Sequence, residues 1–564
     1  MPARPSPPRD PPERTSPIPD FAPPPHGALA WLAPSRASGP VVARAFHRAL
    51  ALVFLIAWLS LAVQVRALIG KDGLSPLGDF LFQAEQQGFG FADLPTPFWW
   101  FRGDGALIGG ALAGAAVACL ALFGVQPRAC FAVMTPLYLG YAVAGRTFLS
   151  FQWDNLLLEC GVLAAFLPRH APSPWLHALL RVLLVKLYLG SGIAKWQSPI
   201  GDWHDGSAMT FYYETAPLPT WLGWYAHALP ETWHRMESWL TLLLELVVPF
   251  AAFGSRKVRL GALAALTAFQ LVNAATANYG FFVWLAVALH LFLLDDADLG
   301  RVQLALRRRL GRRVRGALCG LRRARRRLAR RAARAWAALP SVSRRAVPGR
   351  SPGRARSVAL WVLGAWWALL STVVALDRFT DSRTWDATGL GALGLPARLR
   401  LVNVYHLFGQ ITRDRIEPEV QTTDALGEDG DGPAEDPAEP DAGWRAHDLR
   451  HKPGDPGRAP GFVAPHQPRL DFQLWFYGLA FRRGMPAWVA SLLDGVCDDP
   501  ARVQGFFAAP LPEAPARTRM VFWRYRFSTP EQRRETGAWW TRDRIGAGQP
   551  MVCRQRPDRW SHPE

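Results

Sequence analysis

Nine stretches of this chain are apolar for close to the length of a bilayer crossing, and that dictates most of what it can fold into. A spanning helix needs about 20 mostly apolar residues. The blocks are Phe46–Leu68, Ala106–Val125, Ala129–Ala144, Phe151–Leu167, Trp175–Ala194, Trp239–Phe253, Val258–Ala277, Phe281–Leu294 and Ser357–Leu376. In lipid every backbone polar group must be satisfied internally, so such blocks become helices. A soluble globule is excluded. The expected fold is a polytopic α-helical membrane protein with eight helices, a ninth after a break, and a C-terminal extracytoplasmic α+β domain.

Charge sets the expected orientation. The chain carries a formal +19 over 564 residues, but 20 arginines and no acid fall within 301–356. A nucleic-acid-binding protein spreads a basic stripe over a folded face; one basic segment between apolar blocks is a different pattern, so no nucleic acid is expected as a partner. Cytoplasmic loops collect Lys and Arg, which puts 301–356 in the cytoplasm, as topology anchor and spacer or as a basic amphipathic helix on anionic membrane lipid. Eight crossings before it put the N-terminus there too. The Pro- and Arg-rich residues 1–45 read as a disordered cytoplasmic tail, with no signal peptide. Residues 46–300 form the multi-helix membrane domain, with an aromatic outer loop at 195–238. Residues 357–376 form the last crossing, and 377–564 the outer domain. In that domain Ile416–Val420 and Thr518–Phe527 alternate like strands, Leu470–Phe481 and Trp488–Leu493 suit helices, and Gly427–Asp441 is an acidic loop. Five Lys against 59 Arg suggest a GC-rich, bacterial coding sequence, hence the cell (inner) membrane.

Several motifs resemble the lipase maturation factor family. They run in order from Val53-Phe54-Leu55-Ile56-Ala57-Trp58 and Gly73-Leu74-Ser75-Pro76 to Phe148-Leu149-Ser150-Phe151-Gln152-Trp153-Asp154-Asn155. Ser191-Gly192-Ile193-Ala194-Lys195-Trp196, Tyr213-Glu214-Thr215-Ala216-Pro217-Leu218-Pro219 and Trp224-Tyr225-Ala226-His227 follow. The C-terminal part adds Tyr405-His406-Leu407-Phe408-Gly409, Lys452-Pro453-Gly454-Asp455-Pro456 and Phe462 to Asp471. The resemblance implies a membrane protein that helps secreted lipases or other exported proteins fold and assemble. It implies no enzymatic activity and no cofactor. Its eukaryotic relatives act in the endoplasmic reticulum membrane. Where the family has Tyr-His-Tyr-Glu-Thr-Gln, this chain has Phe211-Tyr212-Tyr213-Glu214-Thr215-Ala216, so no role is carried over for that imidazole or amide.

Two sets of residues stand out. Polar side chains inside crossings are costly and mark functional or helix-joining sites: Gln152, Asp154, Asn155, Glu159, Lys186, Lys195 and Glu245. Asp154 and Lys195 should lie at one depth, Lys186 and Glu245 at another. The second set suits the membrane interface or a client's exposed apolar surface: Trp203, Tyr213, Glu214, Thr215, Pro217, Pro219, Trp221, Trp224, Tyr225 and His227 in the loop, with His466, Gln467 and Asp471 beyond it. Cys497 and Cys553, on the expected outer side, are a possible disulfide. No metal-ligand spacing, nucleophile elbow or phosphate loop occurs. A weaker resemblance to membrane domains of the vitamin K-dependent carboxylase type makes Lys195 a candidate base in an alternative, enzymatic reading.

Overall fold

The structure, a computed structural model, describes residues 39–309, 327, 331, 354–380, 398–425 and 439–553. Among them six helices are long and apolar enough to cross a membrane: α1 (Pro40–Ala62), α4 (Asp104–Leu122), α7 (Pro174–Trp196), α10 with its 3-10 extension (Glu231–Phe253), α11 (Arg256–Thr276) and α14, apolar over Val362–Thr380 of its Arg354–Thr380 length. Three shorter ones lie between them, α5 (Pro127–Ala144), α6 (Gln152–Phe166) and α12 (Phe282–His290), and the connections hold α2 (Val65–Ile69), α3 (Leu77–Gln86), α8 (Ala208–Thr215) and α9 (Trp221–His227). The chain is a polytopic membrane protein. Each expected apolar block coincides with a helix.

The boundaries differ where charge and proline act. The first helix begins at Pro40, inside the stretch expected to be tail. Proline suits the first helical turn because its missing N–H has no partner to lose there. The carboxylate of Asp296 then accepts the free N–H groups of Val41 and Val42, at 3.0 and 2.9 Å, as an anion at a helix N-terminus should. Asp296 itself opens α13 (Asp296–Arg309), so this helix carries the membrane domain into the arginine segment. The tail to residue 38, most of the arginine segment and residues 426–438 of the acidic loop lie outside the described residues.

α1 and α4 approach where Gly114 meets Trp58: a Cβ there would stand 2.3 Å from the indole. Small residues let membrane helices close to van der Waals contact. Tyr138 and Tyr141 meet the same indole edge-on, at 5.0 and 5.3 Å.

The C-terminal domain is α+β. β1 (Arg415–Thr423) pairs with β2 (Arg445–His447) and with β3 (Arg517–Phe527), which pairs with β4 (Trp540–Ala547) and β5 (Met551–Val552). All pairings are antiparallel. α15 (Arg469–Ala480) lies across β1, where a Cβ at Gly478 would be 2.3 Å from the Ile416 carbonyl oxygen. α16 (Ala487–Asp498) packs on β3, and a disulfide joins its Cys497 to Cys553.

The two domains are fastened together. Gln467 donates its N–H to Ser60 Oγ and accepts from Gln64 Nε2, while Asn278 bonds Gly461, Val463 and Ala464. Gly280, at φ +53°, permits this: a Cβ there would be 2.0 Å from the Gln467 side chain.

Candidate functional site

The polar residues of the crossings resolve into three buried ion pairs. Asp154, in the first turn of α6, accepts from both Nη atoms of Arg469 at 2.9 Å and from the Tyr138 hydroxyl at 2.5 Å. Glu159 takes the Lys186 ammonium on both oxygens at 3.0 Å, and the Asn403 amide at 2.6 Å. Lys195 pairs with Glu245 at 2.8 Å and donates to the Leu407 carbonyl at 2.8 Å. Gln152 accepts the His406 N–H, and Asn155 accepts from Arg400. The partners therefore differ from those that depth alone suggests: Lys186 meets Glu159, Lys195 meets Glu245, and Asp154 reaches across to the C-terminal domain. In every case residues 400–407 or Arg469 complete the shell.

Lys195 is committed. Its ammonium has a carboxylate, a carbonyl and the Trp203 ring 5.3 Å away. An amine that serves as a base must present a free lone pair, and an ammonium held by a buried carboxylate does the opposite. Nothing supports the carboxylase-like reading.

The loop residues are mostly buried and spent on seating the C-terminal domain. Trp203, Tyr213, Thr215 and Trp224 are buried. Tyr213 donates to Glu237, and Glu214 accepts the Phe527 N–H at 2.8 Å. Burial holds the Glu214 carboxyl above its ordinary range. Thr215 offers its carbonyl to Trp475 Nε1, and Arg415 donates to the carbonyls of Glu214, Ala216 and Pro217. Pro219 bridges to Ala277, and Trp224 donates to the Ser528 carbonyl. His227 stands 3.6 Å from Glu214, with its pKa pushed down to about 4 by burial. Arg533 lies over Trp539 at 3.4 Å and over Trp224 at 4.5 Å. Of the expected aromatic contact residues in the loop, two present exposed rings: Trp221 is 40 % and Tyr225 51 % exposed. Phe462, also 51 % exposed, joins them, its ring 6.1 Å from Trp221.

Beyond the loop, His466 Nδ1 meets Ser60 Oγ at 2.9 Å. Asp471 accepts the His451 N–H, and burial pushes its pKa up to about 6. Lys452 and Arg415 both hold Glu417. A cavity of about 500 Å³ opens along the domain seam, between Phe151, Trp153, Phe408, Phe472 and Trp475. Among the described residues no three His, Cys, Asp or Glu side chains are grouped to hold a metal ion.

Comparison with known proteins decides the family. Residues 41–301 match the model of the lipase maturation factor transmembrane domain, and residues 401–550 that of the lipase maturation factor C-terminal domain. The chain belongs to the lipase maturation factor family. Lipase maturation factor 1 of Bos taurus is 31 % identical over 553 residues, covering 92 % of this chain and 91 % of its own. The Homo sapiens protein of that name is 31 % identical, with 89 % and 86 % covered. Lipase maturation factor 2 of Gallus gallus is 28 % identical, with 90 % and 80 % covered. No solved structure matches.

The boundary between the two family domains falls between residues 301 and 401, yet the Asp154–Arg469 pair crosses it. In this family member the residues missed from sequence are the ones that close the pairs: Arg469, Arg415, Arg400 and Asn403. Arg469 lies inside the motif Pro465-His466-Gln467-Pro468-Arg469. An arginine there, with unmatched acids in the crossings, was the available signal.

Proposed function

We propose that this chain assists the folding or assembly of exported lipases, at the membrane face that carries its C-terminal domain. Family membership over both domains supports the lipase as client. The observation that carries the reading is the exposed aromatic patch of Trp221, Tyr225 and Phe462, built jointly by the loop and the C-terminal domain. Tyr, Trp and Phe are enriched at protein interfaces, and this patch stands on a base locked by Arg415, Arg533 and Glu214. A rigid apolar platform suits a partner that still exposes core surface. The positive-inside rule, applied to the arginine segment, supports a position of this face outside the cytoplasm, and the excess of Arg over Lys supports the cell membrane of a bacterial host.

The test is deletion of the gene followed by complementation. Wild type should restore active secreted lipase. Trp221→Ala with Tyr225→Ala should leave lipase synthesis intact but lower its specific activity severalfold. Full activity from the double variant, present at normal level in the membrane, would refute the platform.

A further inference from the structure

We propose that the cavity at the domain seam binds one aliphatic acyl chain of an amphiphile with an anionic head. The cavity of about 500 Å³ is of the size that small-molecule sites have. It lies where α6 begins, between that helix end, residues 406–412 and α15. None of its lining residues is Asp, Glu, Lys or Arg.

What the lining offers is decided by what it has already spent. Gln152 holds the His406 N–H, and Gln473 donates to the Thr147 carbonyl. The Thr215 hydroxyl bonds Phe211, and its carbonyl takes Trp475 Nε1. The Tyr212 hydroxyl is shared by Asn273 and Tyr279, and Asp202 accepts the Ile411 N–H. An extended peptide lying along the wall of Phe151, Phe472 and Trp475 would turn backbone donors and acceptors to ring faces that give them no hydrogen-bond partner, which is costly. An alkyl chain asks for none. It would lie against the faces of Phe151, Trp153, Phe472 and Trp475 and enter past Phe476 and Leu479, which are 45 % and 38 % exposed.

The head-group chemistry comes from the rim. His406 lines the cavity with Nδ1 buried and without a partner. The charge of Arg378 bears on that ring. Arg413, exposed, stacks over Phe211 at 5.5 Å beside the lining residue Thr412. The nearby acid Asp414 is turned to Arg524 and Arg526. A carboxylate or phosphate fits this rim, so the chain can belong to a free fatty acid or to a phospholipid.

The experiment uses the purified full-length protein in nanodiscs with a photoactivatable palmitate. Labelled peptides should contain Phe472–Leu479 and 406–412, and excess palmitate should abolish the label. Each two carbons removed from the competitor should weaken it about tenfold. Leu479→Trp, which narrows the mouth, should abolish the label, and Arg413→Glu should lower it severalfold. Both variants are checked for an intact disulfide and normal elution. Native mass spectrometry from phosphatidylglycerol and phosphatidylcholine discs identifies the source: a retained phospholipid points to the bilayer, and retained fatty acid alone to the free acid. Label confined to lipid-facing α10, or label at the seam that an apolar peptide displaces and palmitate does not, would overturn the proposal. Competition in the wild type reads the site even if a variant misfolds.

Discussion

Replacing Arg469 by methionine should be among the most damaging single changes in this protein. Its side chain is 1 % exposed and its two Nη atoms each make a 2.9 Å bond to Asp154. It also donates to the Phe148 carbonyl and to Tyr138. Methionine fills much of the volume but leaves the Asp154 carboxylate with the Tyr138 hydroxyl as its one remaining side-chain donor. Breaking a buried pair from one side costs about 3–5 kcal/mol, because the stranded charge keeps its desolvation penalty. An exposed pair costs about 0.2–1 kcal/mol. Arg235–Glu231, with both side chains more than 60 % exposed, is the internal control. The assay is equilibrium unfolding in micelles, read by protection of the 400–407 and 461–471 segments from protease. Arg469→Met should lose about 3–5 kcal/mol, and Asp154→Leu/Arg469→Met should recover most of it. A single variant costing under about 1 kcal/mol, like Arg235→Met, would refute the argument that the pair is desolvated and holds the domains together.

Lys195→Met should destabilise the membrane domain by a similar amount, about 3 kcal/mol, and Lys195→Met/Glu245→Gln should regain accumulation to near wild-type level. A membrane fraction that loses a chemical activity but no stability in Lys195→Met would contradict the structural role. Asp471 titrates at about 6 in the fold and near 3.9 unfolded. Between those values the folded state holds the extra proton, so this residue makes stability fall as pH rises, by about 2–3 kcal/mol in all. Asp471→Asn should remove that component from the pH profile, and coincident slopes for the two proteins would refute it. Cys497→Ser should cost about 2–4 kcal/mol, because the bridge closes a 56-residue separation; unchanged denaturant midpoints with and without reductant would show that it does not constrain the unfolded chain.

The sequence made the membrane helices legible because lipid imposes a strong signal over 15 or more residues. Its edges were less clear, since Pro40 and the Asp296 cap act over a single turn. β1 and β3 alternate visibly, as in Arg517–Phe527. β4 reads Trp-Thr-Arg-Asp-Arg-Ile-Gly-Ala and hides its strand character behind charges that are satisfied by Glu419 and Asp441 from other segments. The site shows the same limit. Asp154, Glu159, Lys186, Lys195 and Glu245 were conspicuous as charges among apolar residues, but periodicity carries no information about which charge on another segment, 27, 50 or 315 residues away, becomes the partner. Likewise the aromatic loop was visible as composition, whereas its division into buried struts and the exposed Trp221 and Tyr225 depends on β3 and the Arg533 stack.

The distance along the chain between Asp154 and Arg469 also sets a clock. They are 315 residues apart. At about 5–20 residues per second of synthesis, roughly 15–60 s pass between the appearance of the acid and that of its guanidinium. For that interval the newborn helices hold an unmatched carboxylate. Any quality-control factor that recognises stray charge within the membrane has that long to act, and arrival of Arg469 ends its opportunity.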